Sequence, residues 1–424
     1  MFPITTEEFA TILQAFPFLE DVPRLAVACS GGPDSLALTL LLHEWTQSQN
    51  KQVIALTVDH GLRADSAQEA LQVQQWLRSR GISHEILSWQ GDKPKTRVQE
   101  TAREMRYQLL SEWCQKSDIS VLMTAHHAQD QAETFLMRLA KGSGLRGLCA
   151  MRPVVERLPV KIVRPLLMIP PERLRLTLTH FQQSFIEDPS NENRSFERVR
   201  WRQAWQELTQ HGLTLEALLT TIGRLQESQS LIDIQLAEMV HQFLTFSPYG
   251  YLIVDWKGLQ ELSREAIELF IGHILWFFSG QGWQSKHQAV KALCLELEKG
   301  QRRVFTLGGA IIQIKGQQLM VFRELRAAPL PQVFNEGTHT LWWDERFWLN
   351  VEVPQGETLT LKPLGSQVDL PDKLTKKALA RALSTLPSFW HDEDLFFLPT
   401  DDNNEKRDNR WCIQVRPHWK FTIS

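Results

Sequence analysis

Four short runs, Leu25 to Cys29, Val53 to Val58, His84 to Leu87 and Val121 to Ala125, alternate along the chain with four longer stretches: Asp34 to Trp45, Ser66 to Arg80, Gln99 to Gln115 and Ala128 to Leu139. The short runs read as strands, and the longer amphipathic ones as helices. Strands that alternate with helices in this way assemble as a parallel sheet covered on both faces, since parallel neighbours need a crossover connection. Such sheets take ligands beyond the carboxyl ends of their strands, so the residues just after each run are where chemistry is expected.

The 424 residues, 43% of them hydrophobic, suffice for more than one core. No apolar stretch reaches the ~20 residues of a membrane helix. The best candidate, Ala266 to Phe278, is broken by Glu268 and His273. The start carries Glu7, Glu8, Glu20 and Asp21 where a secretory signal would be basic and then apolar, so a cytoplasmic protein is expected. Cys29, Cys114, Cys149, Cys294 and Cys412 form no C-x-x-C pair, which argues for reduced, buried thiols over a disulfide framework or a zinc ribbon. The net charge is -3, yet residues 138–203 carry thirteen Lys/Arg against six Asp/Glu, a surplus of seven that leaves -10 elsewhere. A local basic patch binds phosphates whatever the total charge. The bland alternative is a solvated surface.

Gly142 to Pro171, rich in Gly, Pro and basic residues, and the polar stretch Glu187 to Arg202 both read as surface loops. Helical periodicity runs from Leu213 to Glu298, and Arg303 to Val321 alternates around Lys315-Gly316 like a hairpin. Ala327 to Gln332, with Pro329 and Pro331, reads as a linker. Short strands around Trp342 to Val353 and a helix from Leu374 to Leu386 follow. Three domains are therefore expected: 1–210, α/β; 211–326, mostly helical with a terminal hairpin; and 333–424, small and α+β.

Ser30-Gly31-Gly32-Pro33-Asp34-Ser35 follows the first strand and opens a helix. Two glycines allow a tight turn, so successive N–H groups and the helix N-terminus converge on an anion, and the serine hydroxyls add donors. Pyrophosphate suits that cradle. The string lacks the Gly-Lys-Ser/Thr of a Walker A loop, and the alternative reading is a capped strand-to-helix turn. Asp59-His60-Gly61-Leu62-Arg63 ends the second strand. Arg103 and Arg106 share a helical face, either as a solvated surface or as a phosphate clamp. At the fourth strand end lies Ala125-His126-His127-Ala128-Gln129-Asp130-Gln131-Ala132-Glu133-Thr134. Asp130 and Glu133 share a face there, where carboxylates can hold Mg2+ or bind and deprotonate an amine. A zinc site from His126, His127 and Asp130 would lack a fourth ligand nearby.

The first string resembles the PP-loop of the N-type ATP pyrophosphatases, which cleave ATP between its α and β phosphorus atoms and leave AMP on a substrate oxygen. Taken with HGLR, AREMR, HHAQDQAET, GSGLRGL, Arg164-Pro165-Leu166-Leu167, Asp188-Pro189-Ser190-Asn191, Arg198 and Arg202, the chain resembles the tRNA(Ile)-lysidine synthetases continuously over residues 24–202. Thr306-Leu307-Gly308-Gly309 with Arg323-Glu324, and Leu361 to Gly365, are similar to that family's later domains. Gln129 and Val199 depart from it, where an acid and an asparagine are usual.

This resemblance implies a parallel-sheet adenine-nucleotide-binding α/β domain followed by a helical domain and a small α+β domain. It implies ATP as cosubstrate, bound by Ser30, Gly31, Gly32, Pro33, Asp34, Ser35, His60 and His126, with Mg2+ on Asp34 and Asp130. It implies catalysis by Asp34, Asp130, Glu133 and Arg103, contact with tRNA(Ile) bearing a CAU anticodon through Arg106, Arg164, Arg198 and Arg202, and L-lysine as second substrate. The alternative is a tRNA 2-thiolase of the same superfamily, although no cysteine pair for sulfur handling is present. The oligomeric state is left open, a homodimer being one option.

Overall fold

The computed structural model describes residues 1–62, 65–91, 93, 98–157, 160–187, 197–247, 249–279, 287–344, 346–365, 381–399, 405–407 and 411–417. The chain divides into two compact units, Met1–Ser230 and Leu231–Ile423.

The first unit carries strands β1 (Arg24–Ala28), β2 (Gln52–Asp59), β3 (Ser83–Ser88), β4 (Val121–Met123), β5 (Val154–Arg157) and β6 (Val160–Val163), in the sheet order β3-β2-β1-β4-β6-β5. β1 pairs in parallel with β2 (Leu25↔Val53) and β4 (Ala26↔Leu122), and β5 alone runs antiparallel, to β6, within this sheet. Its helices are α1 (Thr6–Leu13), α2 (Pro33–Ser48), α3 (Ser66–Ser79), α4 (Val98–Lys116), α5 (Ala128–Ala140), α6 (Leu145–Leu148), α7 (Pro171–His180), α8 (Glu197–Gln210) and the first half of α9 (Leu215–Phe243). Strand side chains alternate between two cores. Leu25, Val27 and Ala55 meet Phe9, Leu36, Val73 and Leu174 on one face, while Ala26, Ile54 and Leu122 meet Tyr107, Leu110 and Cys114 of α4 on the other. A strand covered on both faces is apolar throughout, which explains why these runs lack polar alternation. Because the chain moves from β1 outward to β3 and returns to β4 on the opposite side, the crevice at the carboxyl ends of β1 and β4 is the topological switch point, the place where open α/β sheets in general take ligands.

Two loop expectations are corrected. Gly142 to Pro171 contains α6, β5 and β6, with Val160, Ile162, Val163 and Leu166 buried. Its charges obscured this edge pair by pointing outward, as Lys161 and Glu156 do at 3.7 Å from each other. Glu197 to Arg202 forms the first turns of α8. Trp201, Trp205 and Leu208 recur at helical spacing and join Leu136, Leu218 and Ile222, so an apolar stripe runs beneath the arginines. Residues 188–196, with the Asp-Pro-Ser-Asn string, lie outside the described residues, as does Arg63.

In the second unit, β7 (Leu244–Phe246), β8 (Leu252–Asp255), β9 (Val304–Leu307), β10 (Ala310–Lys315) and β11 (Gln318–Arg323) form a sheet of order β7-β8-β11-β10-β9. Phe270, Ile274, Leu293 and Leu297 pack against it, from α11 (Arg264–Ser279) and α12 (His287–Lys299), which follow the short α10 (Trp256–Leu259). The expected hairpin is β10–β11. β7 and β8 interrupt a stretch read as mostly helical. They are short, and β8 pairs with the distant β11 (Val254↔Leu319), so no local window displays the match.

Strands β12 (Gln332–Phe334), β13 (Gly337–Trp343), β14 (Phe347–Val353), β15 (Leu359–Pro363), β16 (Pro387–His391), β17 (Asp394–Phe397), β18 (Glu405–Arg407) and β19 (Cys412–Pro417) make two four-stranded sheets. Trp343, Phe347, Leu349, Leu361, Phe389 and Ile413 form their shared core. Buried Arg346 joins Asp344 at 2.6 Å and donates to the carbonyls of Gly250 and Thr385, and Arg323 reaches the same Asp344 at 2.8 Å. Most of the expected helix from Leu374 to Leu386, with Lys373, Lys376 and Lys377, lies outside the described residues. Among the described residues no helix is long and apolar enough to cross a membrane.

Candidate active site

The loop after β1 is built as its residue types require. Gly31 has φ +83°, a left-handed conformation that glycine adopts without penalty. A Cβ there would lie 2.5 Å from Val73 Cγ2 and 3.0 Å from Ile186 Cδ1. Gly32 caps α2 and Pro33 occupies its first turn. Ser35 Oγ lies 3.2 Å from Ser30 Oγ, accepts the Ser30 N–H at 3.1 Å, and donates to Gly32 O at 3.0 Å. Ile186 N–H donates to Gly31 O at 2.9 Å, so the segment after α7 braces the turn.

Behind the loop, Thr57 Oγ1 donates to Cys29 O at 2.6 Å and lies 2.7 Å from His84 Nε2. The hydroxyl has one proton, so His84 is the donor in its contact, and burial pushes the His84 pKa down to about 4. Sequence reasoning missed this pair and Ile186. Thr57 sits on β2 two residues before Asp59, but nothing local marks its reach to Cys29.

At the end of β4, His127 N–H donates to Asp130 Oδ2 at 3.0 Å, which seats the carboxylate over the first turn of α5. His127 Nε2 stands 3.5 Å from Asp34 Oδ2 and 3.7 Å from Asp130 Oδ2, bridging the loop of β1 to the carboxylates after β4. Burial opposes the charge on His127, but Asp34, Asp130 and Glu133 outweigh it and raise its pKa. His126 behaves oppositely: burial, with Arg164, Arg103 and Arg198 near, lowers its pKa to about 3 and keeps it neutral. Burial would also raise the Asp130 pKa, yet the charges of His127 and Arg198 leave it lowered. Glu133 is 1% exposed and ion-paired to Arg198 and Arg202 at 2.7 and 2.8 Å. Arg198 also reaches Asp130 Oδ1 at 2.6 Å.

A second cluster gathers on Tyr107, which sequence reasoning passed over although it directly follows AREMR. Arg103 and Arg106 lie 5.2 and 5.6 Å from its ring, and buried Arg164 donates to Arg152 O. Burial, with like charge from Arg103, lowers the pKa of both Arg106 and Arg164. His60 is held neutral by burial and by Arg106, with its ring edge-on to Trp89. Elsewhere the basic stretch is committed to the fold, Arg138 to the carbonyls of Gly147 and Ala150, and Arg173 to Glu8. Val199 is buried on α8, and Gln129 keeps a buried Nε2 without a hydrogen-bond partner.

Mg2+ bound with a nucleotide needs one or two carboxylates besides phosphate oxygens. Asp34, one-third exposed at the loop, fits that demand. Both Asp130 oxygens already accept hydrogen bonds, from Arg198 and from the His127 N–H. Among the described residues no group of three His, Cys, Asp or Glu is placed to hold a metal.

An open sheet with Ser-Gly-Gly-x-Asp-Ser at its switch point defines a PP-loop domain, and the family model for the PP-loop domain matches residues 4–208. A tRNA(Ile)-lysidine synthase from Ruegeria pomeroyi is 32% identical over 377 residues, covering 89% of this chain and 88% of that protein. One from Bradyrhizobium diazoefficiens is 40% identical over 233 residues, 54% of this chain and 64% of that protein. Among solved structures, a U34-tRNA thiolase from Methanococcus maripaludis is similar at a TM-score of 0.45 and 19% identity, covering 52% of this chain and 79% of that one. The chain belongs to the tRNA(Ile)-lysidine synthase family.

Proposed function

We propose that the protein joins L-lysine to the carbonyl-bearing ring carbon of the wobble cytidine in the CAU anticodon of tRNA(Ile), through an adenylated base, and so changes codon reading from AUG to AUA. The observation that carries this reading is the bridge at the switch point, where His127 stands between Asp34 of the phosphate loop and Asp130 of the amine site. Family membership supports the substrates.

In the first step the cytosine carbonyl oxygen attacks the α phosphorus of ATP and the bond to pyrophosphate breaks. The N–H groups of Gly31, Gly32, Asp34 and Ser35 at the start of α2 face the departing charge; one such preorganised donor contributes ~3 kcal/mol. Mg2+, when bound with the nucleotide at Asp34, neutralises phosphate charge. Neutral His60 and His126 line the nucleotide site. In the second step the lysine side-chain ammonium, with a reference pKa of ~10.4, gives up a proton to carboxylate at Asp130. The amine attacks the adenylated carbon and AMP leaves with the C–O bonding pair. The wobble base leaves the anticodon stack to reach this site, at a cost of a few kcal/mol. Arg103 and Arg106 meet phosphate during that exposure. Residues 211–326 and 333–424 read the tRNA body, and the protein works in the cytoplasm beside its substrate.

Sulfur transfer is disfavoured by the thiols themselves. All five cysteines are buried, and burial pushes the Cys114 and Cys294 pKa values up to about 12. Incubation with labelled lysine, ATP, Mg2+ and isoleucine tRNA should label the tRNA and release AMP and pyrophosphate. Release of ADP would refute the adenylation step.

A further inference from the structure

We infer that Arg198 and Arg202 are positioning residues that hold the carboxylates of α5 for the lysine amine and do not contact RNA. The inference rests on the lysine-ligation reading above. Glu133 is 1% exposed, and its two oxygens are taken separately, Oε2 by Arg198 Nε at 2.7 Å and Oε1 by Arg202 Nε at 2.8 Å. A carboxylate so buried keeps its charge only where that charge and its lone pairs are met. If Arg198 turned to a phosphate, it would leave Glu133 with one partner and Asp130 Oδ1 without its 2.6 Å contact.

The same geometry separates the two acids. Glu133 lies beneath the surface with both oxygens occupied. Asp130 is 13% exposed; its Oδ1 accepts from Arg198 and its Oδ2 from the His127 N–H at 3.0 Å. Each carboxylate oxygen has two lone-pair sites, so Asp130 retains acceptor capacity for an incoming ammonium. Asp130 therefore contacts the amine, Glu133 anchors the two arginines, Arg198 sets the direction of Asp130, and Arg202 fixes Glu133. The apolar stripe of α8 holds both guanidinium groups in place, with Trp201 and Trp205 packed with Leu136.

The test uses the full chain with Arg202→Gln, Arg202→Lys, and Arg202→Gln combined with Glu133→Gln. Loss of a charge-assisted hydrogen bond on a positioning pair should lower kcat/KM for lysine about 10- to 100-fold. That loss should appear in both KM for lysine and kcat. Lysine-free adenylation of tRNA, the Kd for tRNA and its salt dependence should match wild type, and Arg202→Lys should recover part of the loss. The double variant, which removes the buried charge together with Arg202, should be no less stable than Arg202→Gln alone but should not regain lysine transfer, since Arg198 has lost its anchor as well. Weaker tRNA binding with a salt slope shallower by about one phosphate contact, and unchanged lysine parameters, would overturn the inference. A wild-type chain that adenylates tRNA but transfers no lysine would count against the functional reading instead.

Discussion

Replacing Gly31 by alanine should displace the phosphate loop, while the same replacement at Gly32 should leave it in place. Gly31 holds φ +83°, and an L-residue in a left-handed conformation costs about 1–2 kcal/mol. The added methyl would sit 2.5 Å from Val73 Cγ2, well inside the ~3.5–4.0 Å of an ordinary carbon contact. Val73 is fully buried in the core under α3 and has nowhere to retreat. Overpacking of that kind adds about 1–3 kcal/mol, for a total of about 2–5 kcal/mol if the loop stays where it is. A shift of the loop would relieve the clash by giving up the Ile186 N–H to Gly31 O bond and the aim of the following amides. Gly32 has φ -73°, and a methyl there would meet only Ser30 Oγ at 3.5 Å and Ile186 O at 4.0 Å. Urea unfolding of the full chain, with tRNA-dependent pyrophosphate release beside it, separates the cases. Gly31→Ala should lose stability and pyrophosphate release together, whereas Gly32→Ala should stay within about 1 kcal/mol of wild type. Wild-type stability in Gly31→Ala would refute the steric account.

Asp130→Asn should abolish transfer of labelled lysine while adenylated tRNA still accumulates, and Gln129→Asp should transfer at least as well as wild type; full transfer by Asp130→Asn would move the amine contact elsewhere. Because the Asp130 pKa is lowered by His127 and Arg198 against the pull of burial, its contribution to stability is present above the ordinary carboxylate pKa of ~3.9 and is lost as pH falls through the folded-state value. The stability gap between wild type and Asp130→Asn should therefore be widest near neutral pH and close in acid; a gap independent of pH would contradict this. In the second unit, Asp344→Ala strands Arg346, which is 1% exposed, and should lower stability by about 3–5 kcal/mol, as for one partner of a buried ion pair. Thermal unfolding checks it, and a change below about 1 kcal/mol would mean that the arginine finds other acceptors.

Local chemistry made much of this protein legible in its sequence. The run Leu25 to Cys29 followed by SGGPDS favours an anion-binding turn over a merely capped one, because two glycines, a proline at a helix start and flanking hydroxyls all point the same way. The spacing of Asp130 and Glu133 placed both acids on one helical face. β7 and β8 were invisible because short strands are stabilised by partners far along the chain, and β5 and β6 were hidden because an edge pair can display charge outward and still bury Val160 and Ile162. Charge in the sequence likewise does not say where it is spent. Arg198 and Arg202 are expected from the sequence to contact tRNA, and the docking of α8 on α5 sets them against Glu133 and Asp130. Sequence alone marked the phosphate loop and the parallel sheet around it, since backbone preference and residue type act within a few positions. Only the tertiary structure showed that Glu133 is more deeply buried than Asp130, which carboxylates Arg198 and Arg202 meet and that the thiols are buried, because burial and pairing depend on what distant segments bring alongside.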